Sequence, residues 1–159
     1  EKQSTKQPRI ILFLNFIKVL DIMEPTDEEE QGTAIQVDRK YWEQRSNEKS
    51  LSVFDEISAL IKEITPDIRI TYNKNHIAVG STGNNFAWFH PRKGNHVHFN
   101  VKIENDSLEN INKLFEDAGI ESRIKSNGRE ISIIATSKEV KENIEIIKEA
   151  LKVAEELSK

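Results

Sequence analysis

Hydrophobic and polar positions change their rhythm several times along the chain. A solid apolar run, "IILFLNFIKVLDIM" over residues 10–23, reads as a buried strand or two, with a core helix as the alternative. A proline- and acid-rich loop over 24–32 follows, and "TAIQVDRKYW" then reads as a short strand ending near Trp42. Next, Leu51, Phe54, Ile57, Ile61 and Ile64 recur at spacings of three and four, the signature of a helix over 47–64 buried along one face. Ser46 or Asn47 can cap its start, and Pro66 ends it.

From there the period drops to two. Turn signals at "NKN", "STGNN" and "PRKGN" divide the next stretch into four strands over 68–72, 76–80, 86–90 and 96–103. Connections this short predict an antiparallel meander. The helical rhythm returns over 106–119, with Leu108, Ile111, Leu114 and Phe115 expected inward and Gly119 placed for a left-handed C-cap. "IESRIK", a turn at "SNG" and "REISIIA" predict a hairpin. Thr136 and Glu139 then have capping-box spacing ahead of one long helix to about Leu157, striped by Val140, Ile144, Ile147, Leu151 and Ala154.

The predicted fold class is α+β: helix, four-stranded antiparallel meander, helix, hairpin and long C-terminal helix, preceded by two N-terminal strands. Residues 1–40 are assigned to those strands and their acidic loop, and 41–159 to the α+β domain. The two strands look like the edge of a sheet whose remainder is missing from this chain. A start at Glu1 rather than Met points the same way, to a fragment or a processed product.

Composition adds bounds. The chain has 159 residues, 36% hydrophobic and 31% charged, enough for one domain with a proper core. It has no cysteine, which excludes disulfides and cysteine-based metal sites, and no signal peptide is visible. An intracellular, cytoplasmic setting is expected. The apolar run over 10–23 is too short and too polar to span a bilayer, so no membrane partner is expected.

Charge changes the picture more. The net charge is −4, yet residues 68–103 hold Arg69, Lys74, Arg92, Lys93 and Lys102 and not one acid. All four histidines lie in the same window. Such a basic, acid-free meander suits contacts to phosphate oxygens. The plainer reading is that strands and turns use little Asp and Glu. On the last strand of the meander, Val97, Phe99, Val101 and Ile103 alternate with His96, His98, Asn100 and Lys102, so the two histidines share the polar side. His-x-His on a strand is a recurring metal geometry, but no acid lies nearby and only His76 or His90 could be a third ligand. A polar sheet face is expected there, with no metal and no cofactor. Trp88 and Phe86 share one side of their strand, and either could stack on a base if not buried in the core.

Phosphate-loop, dinucleotide, Gly-x-Ser-x-Gly and His-Glu-x-x-His motifs are all missing. "EVK" at Glu139 to Lys141 has the spacing of a nuclease motif but lies at a helix start, so no catalytic constellation is expected.

"YWEQRSNEKSLSVFDEI", followed by "ITYNKNHIAVG" and "NNFAWFHPRKG", resembles a family of bacterial and archaeal C-terminal domains, sometimes labelled predicted transport proteins. The resembling positions are Trp42, Tyr72 to Lys74, Asn85 and Phe86, Phe89 with Pro91 to Lys93, and Ile131 to Ala135, within residues 40–157. The family occurs downstream of restriction-endonuclease-like domains or in defence-associated proteins. The resemblance implies that the N-terminal strands close an upstream nuclease-like domain whose catalytic acids lie outside this chain. The acidic loop over 24–31 has no counterpart in it.

Together these readings predict a non-catalytic nucleic-acid-binding domain of a nuclease- or defence-type protein. Its contacts would be Arg69, Lys74, Trp88, Arg92, Lys93, His96, His98 and Lys102. The alternative is a protein-interaction or oligomerisation module, a homodimer among the options, that binds no nucleic acid.

Overall fold

A computed structural model of the chain describes residues 35–104 and 106–159. The apolar run over 10–23 and the acidic loop over 24–32 lie outside the described residues. Of the second expected strand, the described part is not a strand. Residues 35–37 are irregular and Arg39–Arg45 form a helix, α1. The Asp38 side chain caps it by accepting from Tyr41 N–H at 3.0 Å, a local bond that favours a helix start over an extended chain. Its Trp42 is buried in the core, and Arg39 grips Asp55 through two hydrogen bonds of 2.6 and 2.8 Å. Tertiary docking thus outweighs the weak strand pattern.

The second helix, α2, spans Glu48–Ile64, with Asn47 as cap accepting from Ser50 N–H. The four strands of the meander follow as β1 (Arg69–Tyr72), β2 (Ile77–Gly80), β3 (Asn85–Pro91) and β4 (His96–Lys102), each antiparallel to the next. Helix α3 (Ser107–Asp117) leads to the hairpin β5 (Glu121–Ile124) and β6 (Glu130–Thr136). Gly119 and Gly128 have φ of 73° and 64°, which is why glycine closes α3 and the hairpin turn. The hairpin does not stand apart from the meander. β6 pairs antiparallel with β4, giving one six-stranded sheet in the order β1-β2-β3-β4-β6-β5.

Two details of the helices correct the sequence reading. In α3, Leu114 is 40% exposed, while Asn112 is buried beside Leu108, Ile111 and Phe115. At 100° per residue Asn112 falls at one edge of that stripe, about 40° from Leu108, and Leu114 lies about 60° beyond the other edge at Ile111. The expected long C-terminal helix is two: α4 (Ser137–Glu142) and α5 (Ile144–Ser158). The break is at Asn143, whose side-chain amide donates to the Glu139 carbonyl beside its own helical backbone N–H, a side-chain bond that competes with helical continuation. The Thr136–Glu139 capping box ahead of α4 is present. It occupies the Glu139 carboxylate, so the "EVK" spacing has a structural role.

Burial alternates strictly along β4 and β6, and the buried set forms a single cluster with the apolar stripes of the helices. At its centre Phe89 lies stacked on Phe99 at 5.4 Å and meets Phe54 of α2 edge-on at 5.0 Å. The fold is therefore two layers, with helices on one face of the sheet. No described helix covers the other face. None of the described helices is long and apolar enough to cross a membrane.

Candidate nucleic-acid interface

The face that no described helix covers follows from the period of two. Cross-strand register sets Trp88 beside Asn100 and Ser132, His90 beside His98 and Ile134, and His96 beside Thr136. All of these are partly exposed. Phe86 departs from the alternation: a register shift at Val79 and Gly80 lets both Phe86 and Ala87 reach the core, so Phe86 is fully buried and cannot stack on a ligand. Trp88 remains as the aromatic of this face.

The four histidines come together. His90 is paired with His98 across β3 and β4, the His76 ring lies 6.0 Å from His90, and the His96 ring lies 5.2 Å from His98. His90 Nδ1 is 3.0 Å from the Asn75 carbonyl, which can only accept, so Nδ1 carries the proton and Nε2 is left for other partners. Burial lowers the pKa of His90 from its ordinary value, with the charges of His76 and Arg92 acting in the same direction against the Asn75 bond. Burial also lowers that of His98, helped by His96 and Arg92 and opposed by Glu121. Both shifts favour the neutral ring. Among the described residues no group of three or more His, Asp or Glu is arranged to hold a metal ion.

The five cations of the acid-free window do not make one patch. Arg69 and Lys102 stand at one end of the sheet, and both are engaged. Arg69 donates to the Ser81 and Gly83 carbonyls and to Asn85 Oδ1, clamping the β2–β3 turn, while Lys102 pairs with Glu104 at 3.0 Å. Lys102 and Trp88 line a shallow recess of about 640 Å³ that also holds Glu104 and Glu130, so its charge is mixed. Lys74, Arg92 and Lys93 lie at the opposite end, on the β1–β2 and β3–β4 turns.

There a cleft of about 500 Å³ opens between those turns and the end of α1. Arg45, Arg92 and Lys93 line it with His90, Asn75, Pro91 and Trp42, and among the described residues no carboxylate does. Each wall is tied down. Trp42 Nε1 donates to the Asn73 carbonyl and Tyr41 hydroxyl to the Lys74 carbonyl, both at 3.2 Å, which fixes the β1–β2 turn against α1. Arg45 sits over the Tyr41 ring, 5.7 Å from its centroid, and donates to the Tyr41 hydroxyl. On the far wall the buried Ser50 hydroxyl of α2 accepts from Arg92 N–H at 3.0 Å and donates to the His96 carbonyl at 2.8 Å, pinning both ends of the β3–β4 turn.

Sequence reasoning missed Arg45, Asn75 and Ser50. Arg45 fell between the strand read as ending near Trp42 and the helix read from Asn47; the Tyr41-to-Arg45 spacing of four was the available signal. Ser50 carried no signal, because its partners are more than forty residues away. Comparison of the chain with family models, with curated proteins and with solved structures finds no match.

Proposed function

We propose that this chain is a non-catalytic nucleic-acid-binding domain that takes a single strand across the sheet face that no described helix covers. The domain would serve a nuclease- or defence-type protein, as the resemblance implies. The observation that supports the reading is the union of two features: a sheet face that no described helix covers, carrying Trp88 and the four imidazoles, and at its end a cleft lined among the described residues by Arg45, Arg92 and Lys93 and by no carboxylate. Sheet faces that bind single strands work this way, with rings that stack on unpaired bases and cations that hold the backbone. The basic end offers few cations, which suits a short single-stranded footprint better than a duplex track.

Fluorescence anisotropy with a labelled single strand and the matching duplex, at low and moderate salt, tests this. Three neutralised phosphates on a single strand predict an affinity loss of roughly a hundredfold for a tenfold rise in salt. Trp88→Ala is expected to weaken single-strand binding about tenfold or more. No binding at low salt would refute the proposal. Salt-insensitive self-association would instead favour an interaction module, for which Ile134 and Trp88 are the apolar elements of the same face.

A further inference from the structure

On this sheet face and its turns, positive charge free of neighbouring carboxylates is gathered at one end and not laid out as a track. A backbone track needs cations repeated at the spacing of successive phosphates. On the side that no described helix covers, Lys102 pairs with Glu104, Lys125 pairs with Glu130 and Arg69 holds the β2–β3 turn, while Arg123 shares a recess with Glu121 and Arg129 shares one with Glu104 and Glu130. The cleft is the exception, with two guanidiniums and one ammonium around a recess that no carboxylate of the described residues lines.

We infer that this cleft receives the terminal phosphate monoester of a nucleic-acid single strand; the inference rests on the function proposed above. A backbone diester carries one negative charge, whereas a monoester carries nearly two at pH 7 and offers three strong acceptor oxygens. Three cations converging on one recess match the second better than the first. Arg45 and Arg92 present planar donor forks suited to phosphate oxygens, and Lys93 adds a point charge. Both walls are fixed before any ligand arrives, Arg45 by Tyr41 and the Arg92 backbone by Ser50, so little ordering is needed on binding. His90 belongs to the same recess and stands two residues along β3 from Trp88. A strand held by its end at the cleft would therefore bring its first bases over His90 and Trp88.

The experiment is an anisotropy titration of one internally labelled single-stranded DNA prepared in three forms: 5′-phosphorylated, 3′-phosphorylated and hydroxyl at both ends. One phosphorylated form is expected to bind about tenfold tighter than the hydroxyl form, the scale of several exposed ion pairs acting together. Arg92→Gln and, separately, Lys93→Gln should abolish that preference. Both side chains are exposed at a turn, and a thermal melt confirms that each variant is folded. Trp88→Ala should weaken all three forms alike and leave the preference intact. Equal binding of the three forms by the unaltered protein overturns the inference while leaving nucleic-acid binding standing. Failure of every form to bind overturns both.

Discussion

Replacing Ser50 by alanine tests how the β3–β4 turn is held. The hydroxyl is fully buried and serves two backbone groups that no regular element satisfies, Arg92 N–H at 3.0 Å and the His96 carbonyl at 2.8 Å. Ser50→Ala removes one oxygen and leaves almost no cavity, so the cost is polar. A stranded buried donor or acceptor costs about 1–3 kcal/mol. Arg92 is exposed at the turn and its N–H can turn to water, which places it at the low end; the half-buried His96 carbonyl belongs higher. Alanine returns about 0.5 kcal/mol in helix propensity. The net loss is about 2 kcal/mol. With a urea slope near 2 kcal/mol per molar, the unfolding midpoint should fall by about 1 M. The same change should loosen Arg92 and reduce any preference for a terminal phosphate. A midpoint shift below about 0.2 M would mean that the two bonds contribute little, and that the turn is held by packing instead.

Three further outcomes follow from the same structure. Ser58 is buried in α2 and its hydroxyl has no hydrogen-bond partner among the described residues, so Ser58→Ala should raise stability by about 0.5–1 kcal/mol in a urea titration. Arg69→Gln should lower stability by about 1 kcal/mol by releasing the β2–β3 turn, yet leave oligonucleotide affinity within about twofold, unlike Arg92→Gln; a large affinity loss would put Arg69 in the interface. The third concerns pH. His90 and His98 have folded pKa values below 6.5, so the unfolded chain binds protons first. Stability should be full above pH 6.5 and decline as pH falls through the lowered folded values. Affinity for an anionic strand should move the opposite way and rise over the same interval, because protonation adds charge beside the cleft. Urea midpoints and anisotropy titrations on both sides of pH 6.5 check the two signs, and parallel movement would contradict the placement of these rings.

Much of the fold was written in local pattern. The four strands of the meander are bounded by turn residues within one or two positions of where they lie. The Thr136–Glu139 capping box and the glycines at 119 and 128 act through bonds or dihedral angles a few residues long. Alternation on β4 announced that His96, His98, Asn100 and Lys102 would share a side. Such features are legible because their physics is confined to neighbours along the chain.

What tertiary structure alone decided is of another kind. Arg39–Arg45 is a helix because Trp42 finds the core and Arg39 finds Asp55, partners the segment does not contain. The hairpin joins the meander because β6 pairs with β4, which no local signal specifies. The basic window held five cations in sequence, but antiparallel folding sent Arg69 and Lys102 to one end of the sheet and Lys74, Arg92 and Lys93 to the other. It then added Arg45 from α1 to the second group. Charge in a sequence window is a sum, whereas charge at a site is a matter of position. Strand direction and cross-strand register set that position, and both depend on contacts between residues far apart in the chain.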